Sequence, residues 1–97
     1  MSVQFEWDPR KDASNLAKHG VAFQVAELVW SDPAHIVVFD RFELDEERWH
    51  AIGSVRGVTI LTIIHTYRDA DSVELVRIIG ARKATRAERK RYEAQND

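Results

Sequence analysis

Cysteine is absent from the 97 residues, which excludes a disulfide framework, a thiolate metal site and a thiol nucleophile. Long apolar runs are absent as well. The longest unbroken one is IVVF at residues 36–39, and the run at 60–64 is interrupted by Thr62, both far short of the ~20 residues a membrane-spanning helix needs. The N-terminal MSVQFEWDPRK lacks the basic-then-apolar order of a secretory signal. No internal repeat, low-complexity tract or linker is present, so residues 1–97 read as a single domain. The expectation is a soluble cytoplasmic chain without membrane contact. What is present supports a core: 44% of the residues are hydrophobic and nine are aromatic, Trp7, Trp30 and Trp49 among them. Full disorder goes with few aromatics and low hydrophobicity, and is excluded.

The net charge of −2 hides a division along the chain. Residues 1–21 are neutral overall, residues 22–74 carry −6 and residues 75–97 carry +4. A basic C-terminal segment thus follows an acidic middle. Clustered Lys and Arg on one element suit a nucleic-acid backbone, because phosphate contacts supply most non-specific affinity. A solvated helix face has the same composition.

The local patterns predict an α+β domain in the order β-α-α-β-β-β-β-α. Residues 3–7 alternate as a short strand. Asp8-Pro9 opens a helix, with Asp as cap and Pro at the first helical position, and Gly20 ends it after Lys18 and His19. A second helix over residues 23–30 places Phe23, Ala26, Val29 and Trp30 on one stripe. Its start lacks a good cap, since Ala22 stands there. Residues 35–39 form a strand and the polar, acidic 41–47 a loop. Strands over 48–54, 58–67 and 73–81 follow with short turns, which forces an antiparallel meander. Thr85 and Glu88 form a capping box for a basic helix over 85–95. The reading is a curved antiparallel sheet with two helices before it and one basic helix after it.

Three segments carry a resemblance to a known family: FEWDPRK…N…KHGV…F at residues 5–23, ERWHAIGS at 47–54 and RIIGARKATRAERKRY at 77–92. In order and spacing they resemble the BrnT toxins of bacterial type II toxin–antitoxin systems, over nearly the whole chain. Gly80 stands where that family commonly has Ser. The resemblance implies a RelE-like fold and a ribonuclease that blocks translation. It also implies a small BrnA-like antitoxin with a ribbon-helix-helix part, and binding to operator DNA only through that antitoxin.

The residues fit RNA cleavage without a metal or other cofactor. His19, His35, His50 and His65 are spread over separate elements, so no ligand set stands at metal spacing. When the 2′-OH attacks its own phosphate, the protein must place a base, an acid and positive charge around the phosphorane. Arg77 and Arg82 are candidates for that charge, because a guanidinium offers paired donors to phosphate oxygens and stays charged. Arg77 lies in an otherwise apolar strand. It either meets phosphate or pairs with an acid such as Glu74 or Glu47. Pairing of Tyr67 with Val73 would put Trp49, His65, Tyr67 and Arg77 on one sheet face. His19 is the candidate proton shuttle, although a cation at a helix C-terminus also has a plain dipole role. His50 and His65 read as ordinary strand residues, His65 being the better of the two for a catalytic part. Lys18, Lys83, Arg86, Arg89 and Lys90 are candidate RNA-backbone contacts, or a surface for an acidic partner. Three functions fit these residues: a ribonuclease toxin, a catalytically weak co-repressor module of the same fold, and an unrelated α+β interaction domain.

Overall fold

The computed structural model describes residues 3–70 and 73–95. The elements are β1 (Val3–Glu6), α1 (Pro9–His19), α2 (Phe23–Ala26) running into a 3₁₀ helix (Glu27–Ser31), β2 (Ile36–Glu43), β3 (Glu46–Val55), β4 (Thr59–Ala70), β5 (Val73–Lys83) and α3 (Arg86–Ala94). Their order is the expected one. One five-stranded sheet is formed, in the spatial order β1-β5-β4-β3-β2. Strands β2 to β5 are the expected antiparallel meander, but the sheet is mixed, because β1 pairs with β5 in parallel. The reason is connectivity: α1 and α2 carry the chain from one sheet edge to the other, and the returning meander ends beside β1.

Two further expectations are corrected. The acidic 41–47 segment is not a loop. β2 and β3 run through it and meet at Leu44-Asp45, whose φ values of 52° and 61° make a tight hairpin turn. Neither residue is the Gly or Asn that usually marks such a turn, so the strands looked interrupted by charge. The second correction concerns the helix over 23–30, which tightens to 3₁₀ geometry at Glu27. Its missing cap is supplied from outside, by Asp12 of α1 accepting from the Phe23 N–H at 2.9 Å. Part of the predicted turn between β4 and β5 falls on residues 71–72, outside the described residues.

The core lies on one sheet face, beneath the first two helices. Phe23, Ala26 and Val29 pack on Ala51, Leu61, Ile63, Val76, Ile78 and Ala81, all buried. Gly53 permits the close approach of the 3₁₀ helix. A Cβ there would come within 2.9 Å of both the Val29 and the His35 side chains. Helix α1 is polar and buries no residue, so a side chain ties it down. β1 covers β5 only as far as Arg77. Beyond it, Asn15 completes the open edge, donating to the Ala81 carbonyl at 2.8 Å and accepting from the Ala81 N–H at 3.2 Å. Among the described residues no helix is long and apolar enough to cross a membrane.

His65 is fully buried in this core, between the edges of Trp30 at 5.0 Å and Tyr67 at 4.9 Å. Burial lowers its pKa to about 4, so the ring is neutral near pH 7 and is not a surface catalyst. A histidine depressed in this way costs stability as pH falls from its unfolded value of ~6.5 towards 4, where the unfolded chain takes up the proton first. We predict a loss on the order of 3 kcal/mol across that window. His65→Phe should flatten the pH dependence of the melting temperature there. An unchanged acid limb in the variant would count against this account.

Candidate active site

Arg77 and Arg82 are five residues apart, so on a regular strand they would face opposite ways. An extra residue brings them together. Ile64 pairs with Gly80 and His65 with Ile78, leaving Ile79 unpaired as a bulge. Arg77 then stands opposite Thr66 and Arg82 opposite Thr62, on the sheet face away from α1 and α2. Arg48 and His50 of β3 reach the same face, since Trp49 and Ala51 point to the helical side. The expected grouping of Arg77 with Trp49, His65 and Tyr67 is therefore corrected. Tyr67 pairs with Val76, and the slip of register puts those three rings on the helical face.

Glu88 organises one end of this open face. Its carboxylate accepts from Arg82 at 2.7 and 3.1 Å, from the Thr62 hydroxyl at 2.9 Å and from the Thr85 N–H at 2.8 Å. The Thr85–Glu88 capping box is formed as expected. Burial alone would raise the Glu88 pKa, but the hydrogen bonds from Arg82, Thr85 and Thr62 outweigh it and lower the value to about 2. Hydrogen bonding to Glu88 in turn raises the pKa of Arg82. His50 lies between two carboxylates, with Nδ1 3.7 Å from Glu88 and Nε2 3.4 Å from Asp40. Asp40 is itself the extra residue of a second bulge, where β2 slips against β3 between Phe39 and Arg41.

The other end of the face is less saturated. Arg77 Nη1 is 3.8 Å from Glu6 of β1, so the acid beside it is neither Glu74 nor Glu47. The pair is longer than a hydrogen bond and partly exposed, which makes it a weak tie. Beside it, Arg48 Nε and Thr66 Oγ1 are buried without a hydrogen-bond partner. Arg48, Thr66 and Arg77 occupy one row across β3, β4 and β5. Arg48 Nη1 is likewise only 3.7 Å from Glu43, so an arriving phosphate oxygen would meet unsatisfied buried donors beside two loosely paired guanidinium groups.

The remaining sequence candidates sit elsewhere. His19 and Lys18 lie at the end of α1, lining a cleft with Arg10, Lys11 and Ile79. His19 also borders a second cleft with Arg56 and Lys83. Neither cleft contains Arg77 or Arg82, which share a sheet face opposite Thr66 and Thr62, whereas His19 is at the end of α1. Arg86, Arg89 and Lys90 are exposed on α3, and Lys83 is exposed at the end of β5. Sequence reasoning passed over Arg48 and ranked His50 below His65. Both lie in the ERWHAIGS segment, but only the register shows that they share a face with Arg77. Among the described residues no three His, Asp or Glu side chains converge as a metal site.

A mixed sheet with two helices over one face, and α3 at one end of the arginine-lined second face, defines a small α+β protein. Comparison with known proteins agrees. The family described as "Ribonuclease toxin, BrnT, of type II toxin-antitoxin system" matches residues 7–88, and the chain belongs to this BrnT family. The chain is also similar to the Brucella abortus ribonuclease toxin BrnT, known from a crystal structure at 1.1 Å resolution. Identity is 28% and the TM-score 0.60, with 88% of this chain and 100% of the other covered. No curated protein matches the chain.

Glu88→Gln tests the saturated end. The carboxylate stabilises the fold while ionised, so its contribution is complete above the ordinary value of 4.5 and is lost as pH falls through about 2. We expect the variant to lose about 2 kcal/mol at pH 7 and to show a flatter stability curve between those limits. Full retention of stability at neutral pH would contradict the role given to Glu88.

Proposed function

We propose that this BrnT-family toxin cuts RNA without a metal ion, on the open face of its sheet. The supporting observation is the convergence of Arg77, Arg82, Arg48 and His50 on one face through the Ile79 bulge. His50, steadied by Asp40, takes the proton from the attacking 2′-OH. The oxygen then bonds to the adjacent phosphorus as the bond to the 5′-oxygen breaks. The leaving oxygen takes a proton from solvent water and His50 returns its own to solvent, giving a 2′,3′-cyclic phosphate and a free 5′-OH. Arg77 and Arg48 meet the charge that grows on the non-bridging oxygens, where fixed donors act most strongly. Arg82, held by Glu88, carries less free charge and sets the edge of the site. Lys18, His19 and Lys83 on one side, and Arg86, Arg89 and Lys90 on the other, hold flanking phosphates. Such cutting would block translation in the cytoplasm. A BrnA-like ribbon-helix-helix antitoxin would neutralise the toxin and carry it to operator DNA.

Three measurements check this reading. Purified chain should cleave RNA in excess chelator; loss of activity restored by a divalent ion would overturn the metal-independent part. Arg77→Ala should lower cleavage by roughly 10²–10³ while leaving the melting temperature nearly unchanged, because its pair with Glu6 is weak. Early melting with retained cleavage would make Arg77 structural. Binding to single-stranded RNA should weaken linearly in log salt, at about −0.7 per phosphate contact. Reversing the charges of Arg86 and Lys90 should flatten that slope by roughly two contacts, and an unchanged slope would remove α3 from the RNA path.

A further inference from the structure

The helical face of the sheet is not fully covered. Beyond the 3₁₀ helix, edge-to-face or tilted ring contacts run from Phe42 to Phe39 (6.1 Å), Phe39 to Trp49 (5.4 Å) and Trp49 to Tyr67 (5.9 Å). Tyr67 then borders a cleft of about 500 Å³ whose walls include Phe5, Trp30 and Val37. The outer end of this ridge is open to water: Phe39 is 49% exposed, Phe42 67% and the turn residue Leu44 83%. A small protein that presents neighbouring aromatic side chains in this way has a surface meant to be covered. The charges around it have one sign. Among the described residues the cleft is lined by two carboxylates, Glu27 and Glu74, and by no Lys or Arg. Its other titratable side chains are His35 and Tyr67. Glu47 stands opposite Phe42 on the ridge side of β3.

We propose that this ridge and cleft dock a cationic amphipathic segment of the protein antitoxin. The proposal rests on the reading that such a partner exists. Charge complementarity selects the occupant. Apolar side chains of the segment would cover Phe39, Phe42 and the cleft, and its Lys or Arg would meet Glu27, Glu47 and Glu74. RNA is excluded by the same acids. The surface lies on the face opposite Arg48, Arg77 and Arg82, so docking there does not itself occupy the phosphate row. Exposed aromatic anchors near the centre of an interface are where truncation costs most.

The test uses the full chain and a synthetic 18-residue Leu/Lys amphipathic helix as probe, with a Leu/Glu peptide of the same pattern as control. Binding is followed by tryptophan fluorescence. The Leu/Lys peptide should bind the wild type, and the Leu/Glu peptide at least tenfold more weakly. A Phe39→Ser/Phe42→Ser double variant should lose at least tenfold in affinity for the Leu/Lys peptide. Glu27→Lys/Glu74→Lys should do the same with the aromatic ridge intact. RNA cleavage by the Phe variant should stay within twofold of wild type. No binding to wild type, or equal binding to the Phe variant, overturns the proposal. So does a dimer in sedimentation equilibrium that the Phe variant abolishes, since the surface would then belong to a second copy. Failure of growth arrest on induction, with peptide binding intact, would remove the toxin reading and leave the surface standing.

Discussion

Strand β5 has to serve two faces with one alternation, and it does so only because of a single extra residue. Val76 and Ile78 fill the core, and the next core residue on the strand is Ala81. Regular alternation from Ile78 would send Gly80 inward and Ala81 outward. It would also turn Arg82 into the packed helical face, where an unpaired guanidinium is strongly disfavoured. The bulge at Ile79 changes the phase on both faces at once. Ala81 enters the core, and Arg82 joins Arg77 on the open side. The position of α1 follows from the same place, because Asn15 binds the Ala81 backbone immediately after the bulge. Core, edge and arginine pair therefore depend on one local irregularity.

The two arginines brought together in this way are not equivalent. Arg82 makes a bidentate contact with a carboxylate whose pKa is held near 2, so that partner stays ionised at any working pH. Glu88 is shared among the sheet, the start of α3 and the approach to His50. This is how a helix with no buried residue of its own stays on β3. Its far end is tied by Tyr92, whose hydroxyl donates to Asp32 at 2.6 Å. Arg77 has only a loose, partly exposed contact with Glu6. One arginine is committed to the architecture and the other is available to a ligand, a difference that charge counting along the sequence does not register.

What was legible in the sequence had local causes. Asp8, Pro9 and Gly20 bound α1, Thr85 and Glu88 open α3, and short connections fix the meander; each acts within a few residues. What was missed depends on contacts between distant segments. The parallel pairing of β1 with β5 joins the two ends of the chain. The cap of α2 comes from Asp12. The β2–β3 hairpin turns on Leu44-Asp45, a pair in which Asp45 suits a positive φ but Leu44 does not and no glycine marks the turn. A Tyr67–Val73 pairing misplaces Arg77 because β4 continues to Ala70, which itself pairs with Val73, so the polar residues expected in the turn extend the strands instead. His65 is the better of the two strand histidines only while it shares a face with Arg77, whereas here it lies in the core, where burial keeps it neutral. Gly80 was a departure from the family pattern, yet a Cβ there would make only ordinary contacts, the nearest at 3.5 Å from Ile64. A serine would fit, so space alone does not explain the glycine.

Strand β3 serves both faces of the sheet by the same parity. Its residue 49 belongs to the aromatic ridge, and residues 48 and 50 belong to the arginine face. A one-residue slip of β3 would exchange them, burying Arg48 and His50 and exposing Trp49. Register is therefore set by both sides at once: rings that must meet Tyr67 and Phe39, and an imidazole that must reach Asp40 and Glu88. A ligand that tightens either set of contacts restricts the same strand.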